Sequence, residues 1–173
     1  MTREGARVSA GDDPGPEPVS ASASRKAVYL HPGFVYASPE PTEATTILGS
    51  CVCVCLWDAR LRIGGANHFL LPFGGGTGGG SLRFGSAAIP ALVDELRRLG
   101  SQSRDLQAKV FGGAAVIEAF RGRERHLGMQ NVELARALLA ERGIPIVAQD
   151  IEGDRGRKVI FHTHSGLALV RLV

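Results

Sequence analysis

The sequence predicts an α+β fold, and three observations predict it. Two amphipathic stretches have helical spacing and stop signals at their ends. Six or more further runs are dense in β-branched and apolar residues and are bounded by turn residues. These runs neighbour one another through tight turns instead of alternating regularly with helices, which argues against repeated βαβ units.

In chain order, residues 1–25 are rich in Gly, Pro, Ser, Ala and charge and hold little that a core could bury. They are expected to be a disordered tail ahead of a single domain over residues 26–173. The first apolar run, Ala27-Val28-Tyr29-Leu30, is punctuated by His31-Pro32-Gly33. Thr45 to Trp57 reads as a strand with a bend at Gly49-Ser50. Asp58-Ala59-Arg60-Leu61 reads as a tight turn, and Arg62 to Leu71 as the returning strand, closed by Pro72. Residues 74–80 are almost all glycine and are expected to be a linker. They lack the Gly-Lys-Ser/Thr ending of a phosphate-binding loop.

Ser86 to Leu99 is expected to be a helix, with Ile89, Leu92, Val93, Leu96 and Leu99 on one side, Ser86 as N-cap and Gly100 beyond its end. A second helix is expected from Asn131 to Arg142, carrying Val132, Ala135, Leu138 and Leu139 and stopped by Gly143 and Pro145. Strands are expected over 108–117, 145–150, 157–163 and 167–172, the last two forming a hairpin around Ser165-Gly166.

The chain has 173 residues, 44% hydrophobic and 21% charged, with a net charge of +3, which suits a globular protein with one substantial core. No long apolar run is present to span a membrane, and the N-terminus lacks the apolar stretch of a secretory signal. A cytoplasmic location is the expectation. The basic residues are interleaved with acidic ones, and no pattern of interleaved aromatics suggests base stacking, so nucleic-acid binding is not expected. All three cysteines fall in Cys51-Val52-Cys53-Val54-Cys55. On a strand, alternate Cα atoms lie about 7 Å apart, which argues against a disulfide framework.

That cysteine segment and His68 carry the chemistry. If the hairpin turn centres between Ala59 and Arg60, Leu61 faces Asp58, Arg62 faces Trp57, and His68 faces Cys51. An imidazole opposite a thiol can take its proton and generate the nucleophilic thiolate. Thr45 offers a hydroxyl that can hold the imidazole in one tautomer. Gly49 allows a tight bend, and the backbone N–H groups around Ser50 and Cys51 can face a developing oxyanion. The residues alone leave other readings open. Cys53 and Cys55 fit as small buried hydrophobes. Cys51, Cys53 and Cys55 with the alternating pair His162 and His164 also suggest a metal site, although the spacing is not that of structural zinc loops.

At these residues the sequence resembles the chemoreceptor glutamine deamidases of bacterial chemotaxis, the CheD family. The resemblance runs from about Val28 to Val173. It rests on Thr46-Ile47-Leu48-Gly49-Ser50-Cys51-Val52, Val54-Cys55-Leu56-Trp57-Asp58, Ile63-Gly64-Gly65 and His68-Phe69-Leu70-Leu71-Pro72. Ala108 to Ala114, Asn131-Val132 and Gly153 to Arg157 support it. It implies a layered sandwich of packed β-sheets with two main helices outside. It further implies Cys51 as nucleophile, His68 as base and Thr45, six residues before the cysteine, as third member. The implied reaction converts glutamine side chains of methyl-accepting chemoreceptors to glutamate through a thioester, with no metal or organic cofactor. A CheC-type phosphatase is the implied second partner. A non-catalytic protein that binds receptors or the phosphatase, and a related amidase or esterase acting on another protein, are the rival readings. Cys53, Gln130 and Glu152 depart from the family pattern without touching the implied triad.

Overall fold

The computed structural model describes residues 26–74, 80–121 and 126–173. The expected tail and most of the glycine-rich stretch lie outside these residues. Among the described residues, nine strands and two long helices form three layers. The strands are β1 (Lys26–Tyr29), β2 (Phe34–Ser38), β3 (Thr42–Leu48), β4 (Val52–Asp58), β5 (Ile63–His68), β6 (Leu106–Gly112), β7 (Ile146–Ile151), β8 (Arg157–His162) and β9 (Ala168–Leu172). The helices are α1 (Gly85–Arg98) and α2 (Leu127–Glu141).

The outer sheet has the order β1-β3-β8-β9 and the central sheet β2-β5-β4-β6-β7. Strand alternation explains the layering. Val52, Val54 and Leu56 point from β4 into a core with Ile89, Leu92 and Leu96 of α1 and Val132, Ala135 and Leu139 of α2. Cys53 and Cys55 point the other way, into a second core with Ala44 and Leu48 of β3 and Val159 and Phe161 of β8. Because both faces of β4 are buried, its sequence is a continuous apolar run with no polar alternation. The α+β class and the layered sandwich implied by the resemblance both match this architecture.

Several elements differ from expectation. The single run from Thr45 to Trp57 is two strands in different sheets, and the Gly49–Cys51 bend carries the chain from one sheet to the other. The hairpin register is displaced by two residues, so Trp57 faces Gly64, and Asp58 faces Ile63. The cause is a four-residue loop, residues 59–62. Asp58 Oδ1 accepts from the N–H groups of Arg60 (2.9 Å) and Leu61 (3.0 Å), and Arg62 adopts a left-handed φ of 55°. The strand expected over 108–117 ends at Gly112 instead. There φ is +107°, and a Cβ would lie 2.1 Å from the Cys51 carbonyl oxygen. Helix α2 starts four residues earlier than expected, at Leu127 behind the N-cap His126, whose ring accepts from Met129 N–H at 3.4 Å. In α1 the N-cap is Phe84, not Ser86, and no side chain caps it. The hairpin around Ser165-Gly166 is present as β8 and β9.

Candidate active site

The Gly49–Cys51 bend is fixed by its carbonyls. Gly49 O accepts from Ala114 N–H at 2.9 Å and Cys51 O from Gly113 N–H at 2.9 Å. Ser50 O accepts from Asn131 Nδ2 at 3.0 Å. Three successive carbonyls are therefore held by donors from the segment just after β6 and from α2. In a peptide unit the N–H points opposite to the C=O, so pinning the Gly49 and Ser50 carbonyls turns the Ser50 and Cys51 amides away from these donors. The close packing that permits it includes Gly128, where a Cβ would meet the Gly113 carbonyl oxygen at 2.3 Å.

Cys51 is half-buried, while Cys53 and Cys55 are buried. Burial pushes the Cys51 thiol above its ordinary value, opposed by its own backbone N–H, which favours the thiolate. Cys55 is pushed well above the ordinary thiol range by complete burial and by the adjoining Cys53 thiol, whose Sγ is 3.7 Å away. Cys51 is thus the accessible thiol of the three.

His68 ends β5 and is 2% exposed. Its Nδ1 lies 2.9 Å from Thr46 Oγ1 and 3.1 Å from the Leu30 carbonyl oxygen. Thr46 Oγ1 donates to that same carbonyl at 2.9 Å. A carbonyl only accepts, and the Thr46 proton is already committed to it, so Nδ1 carries the imidazole hydrogen and shares it between the two oxygens. Nε2 is then the lone-pair nitrogen, and it is buried without a hydrogen-bond partner among the described residues. Burial lowers the pKa of His68, the Leu30 carbonyl opposes the shift, and the nearby His31 lowers it further. The resting pair is a neutral thiol and a neutral imidazole with its basic nitrogen unoccupied.

The register displacement by two residues alters how these groups meet. Val52 bridges Phe69, which sets His68 across from Cys53 and one diagonal step from Cys51. An even displacement preserves faces, so Cys51 and His68 still share the surface between the sheets. They do not hydrogen-bond to each other in this state. Catalytic hydrogen bonds commonly form only once substrate completes the geometry. Thr45 is not brought to His68. It alternates with Thr46 on β3, is only partly buried, and stands in the row of Tyr29 and Ile160 on the far side of the outer sheet. The hydroxyl that meets the imidazole is that of Thr46. Nor are the residues of the metal reading assembled. His162 alternates with the inward-facing Phe161 and lies 3.7 Å from Glu43, away from the cysteines between the sheets. Among the described residues no group of three or more His, Cys, Asp or Glu side chains could hold a metal ion.

The family model described as CheD chemotactic sensory transduction matches residues 70–172. A probable chemoreceptor glutamine deamidase CheD 1 of Anaeromyxobacter dehalogenans is 49% identical over 166 residues, covering 96% of this chain and 92% of its own. A probable chemoreceptor glutamine deamidase CheD of Sulfurimonas denitrificans is 37% identical, over 84% of this chain and 93% of its own. The chain belongs to the CheD family. A solved Bacillus licheniformis hypothetical protein, YfiH, aligns with TM-score 0.40 and 18% identity, over 65% of this chain and 48% of that one.

Within this CheD chain, two site residues escape a reading of the sequence by spacing alone. Thr46 adjoins Thr45, and only the strand phase tells which of the two faces inward. Asn131 is fully buried, and its Nδ2 also donates to Leu70 O at 2.8 Å, two residues beyond His68. It thereby ties the Gly49–Cys51 bend to the chain that leaves His68. Its signal is present in the sequence: a lone amide on the same helical stripe as Ala135 and Leu139.

Proposed function

We propose that this chain deamidates glutamine side chains of chemoreceptors in bacterial chemotaxis, with Cys51 as nucleophile and His68 as base. The observation that carries the assignment is the buried, neutral His68, with Nδ1–H held by Thr46 and Leu30 and Nε2 vacant on the sheet face it shares with Cys51. The family membership supports the reaction class and the receptor substrate.

The mechanism follows from these groups. When a glutamine side chain enters, the Cys51 thiol passes its proton to His68 Nε2 as sulfur bonds to the amide carbon. Negative charge gathers on the amide oxygen, and the backbone N–H groups of the Gly49–Cys51 bend, including that of Ser50, stabilise it. Collapse breaks the C–N bond, and the Nε2 proton leaves with the nitrogen as ammonia. Water then loses a proton to Nε2 while its oxygen attacks the thioester. Sulfur departs, regains a proton, and glutamate is released. One water is consumed and one ammonia formed, with no change in oxidation state. Because both resting groups are neutral, proton transfer accompanies attack instead of preceding it.

No described helix is long and apolar enough to cross a membrane. We place the protein in the cytoplasm, where it meets the signalling portion of its receptors, and retain a CheC-type phosphatase as its second partner. The test is intact-mass analysis of a receptor cytoplasmic fragment incubated with the wild type or with Cys51→Ala. The expected result is a gain of about 1 Da per modified glutamine with the wild type only. No gain with either protein, while the receptor is still bound, would replace the enzyme reading with that of a non-catalytic interaction protein.

A further inference from the structure

An apolar cavity of about 70 Å³ opens beside the nucleophile bend, walled by Ser50, Ala115, Val116, Ile117, His126 and Leu127. Val116, Ile117 and Leu127 are 40%, 57% and 37% exposed. Single exposed aliphatic residues are ordinary, but three converging on one cavity beside a reactive cysteine are not. Among the described residues that line it there is no carboxylate, lysine or arginine.

The walls are firmly set. Ala114 N–H donates to Gly49 O and Ala115 N–H to Gly153 O, at 2.9 and 2.8 Å. A Cβ on Gly49 would meet both Val116 methyl groups at 3.4 Å, so the cavity wall and the bend that carries Cys51 are in contact through that glycine. Ser50 is at once a wall of the cavity and the residue before the nucleophile. Whatever fills the cavity is therefore continuous with whatever presents its amide to Cys51. We propose that the cavity is a specificity subsite, which receives an uncharged aliphatic side chain close to the target glutamine on the same protein substrate. The inference rests on the deamidase reading and deepens it. The cavity's small apolar volume suits a short aliphatic side chain better than a broad ring. Valine, leucine and methionine are the side chains that fit.

The experiment measures ammonia release from glutamine peptides in which one flanking position is leucine, alanine, phenylalanine or aspartate, scanned along the residues around the glutamine. The wild type is expected to favour leucine over alanine by about ten-fold or more in kcat/KM at one flanking position, and to disfavour phenylalanine and aspartate there. Val116→Phe, which fills the cavity, and Ile117→Ser, which opens and polarises its wall, are each expected to bring the leucine-to-alanine ratio toward one. Both positions are exposed enough for the variants to fold, and thermal melting checks that they do. A wild type that deamidates all four peptides equally, or variants that keep the wild-type ratio, would overturn the subsite while leaving the deamidase reading intact. A wild-type dimer that Val116→Phe dissolves, with ratios unchanged, would give the cavity to a second copy and likewise overturn it. Absence of ammonia from every peptide and from a receptor fragment would instead defeat the deamidase reading on which the subsite depends.

Discussion

Replacing Thr46 and Thr45 separately by valine tests which threonine orients the His68 imidazole. Thr→Val keeps the β-branch that suits a strand and removes only the hydroxyl. At Thr46 the loss comprises two buried contacts of 2.9 Å, one to His68 Nδ1 and one to Leu30 O. Each neutral buried hydrogen bond contributes about 0.5–1.5 kcal/mol, so stability should fall by about 1–3 kcal/mol and Tm by several degrees. The Leu30 carbonyl remains 3.1 Å from Nδ1, which keeps the tautomer and limits the damage. Catalysis should suffer beyond the ground-state loss. When Nε2 accepts the thiol proton, the Nδ1–H bonds become charge-assisted, and a charged bond exceeds a neutral one by about 1–1.5 kcal/mol. That difference converts to about ten-fold in kcat. At Thr45 the hydroxyl leaves from the far face of the outer sheet, so Thr45→Val should stay within about 0.5 kcal/mol of wild-type stability, with kcat close to wild type. The assay is steady-state ammonia release from a receptor fragment, alongside thermal melting of each variant. A ten-fold loss in Thr45→Val with Thr46→Val unaffected would refute the strand phase from which the role of Thr46 is argued.

Three further outcomes follow from the same site. Iodoacetamide should alkylate the native protein once, at Cys51, with a rate that keeps rising beyond the ordinary thiol range because burial raises that pKa; peptide mapping that finds Cys53 or Cys55 labelled equally fast would contradict their closure between the sheets. His68, with a folded pKa below its ordinary 6.5, binds a proton more weakly folded than unfolded, so its contribution to stability is present above that value and lost as pH falls from it through the folded pKa. Cys51 has the opposite sign, its contribution being lost as pH rises from the ordinary thiol value through the raised one. Melting curves against pH should therefore have a shallower acid limb in His68→Gln and a shallower alkaline limb in Cys51→Ala, and limbs identical to wild type would remove the linkage. Asn131→Asp sets an acceptor against the Ser50 and Leu70 carbonyls in place of two donors. It should lose about 2–4 kcal/mol in denaturant unfolding and about ten-fold or more in kcat, whereas wild-type kcat would mean that the bend holds its shape without this amide.

The fold class was legible because α1 and the core part of α2 follow from apolar spacing, and β4 to β9 from apolar density. Strand β2 was not. Its five residues are nearly all partly exposed and show no clean alternation, being the edge of the central sheet beside β5. The division of one apolar run into β3 and β4 turned on Gly49–Cys51, where local propensity marks a bend but not a change of sheet. Only packing of Leu48 and Cys53 in one core, with Val52 in the other, distinguishes the two.

The candidate site was legible for a related reason and failed at a related point. Hairpin arithmetic depends on where the turn centres, and the Asp58 side chain draws two amides into a four-residue loop that spacing alone does not centre. The resulting error is even, and a strand displaced by an even number keeps every side chain on its face. Cys51 and His68 thus stay on one surface although their direct opposition does not survive. Thr45 had no such protection. Its role is implied by the family resemblance, at six residues before Cys51 and across the Gly49–Ser50 bend, where the strand phase is interrupted. An odd error is then as easy as an even one, and an odd error sends the hydroxyl to the wrong side of the sheet. The two residues joined by a continuous hairpin lie on the shared face, whereas Thr45, across the bend, lies on the opposite face of its sheet.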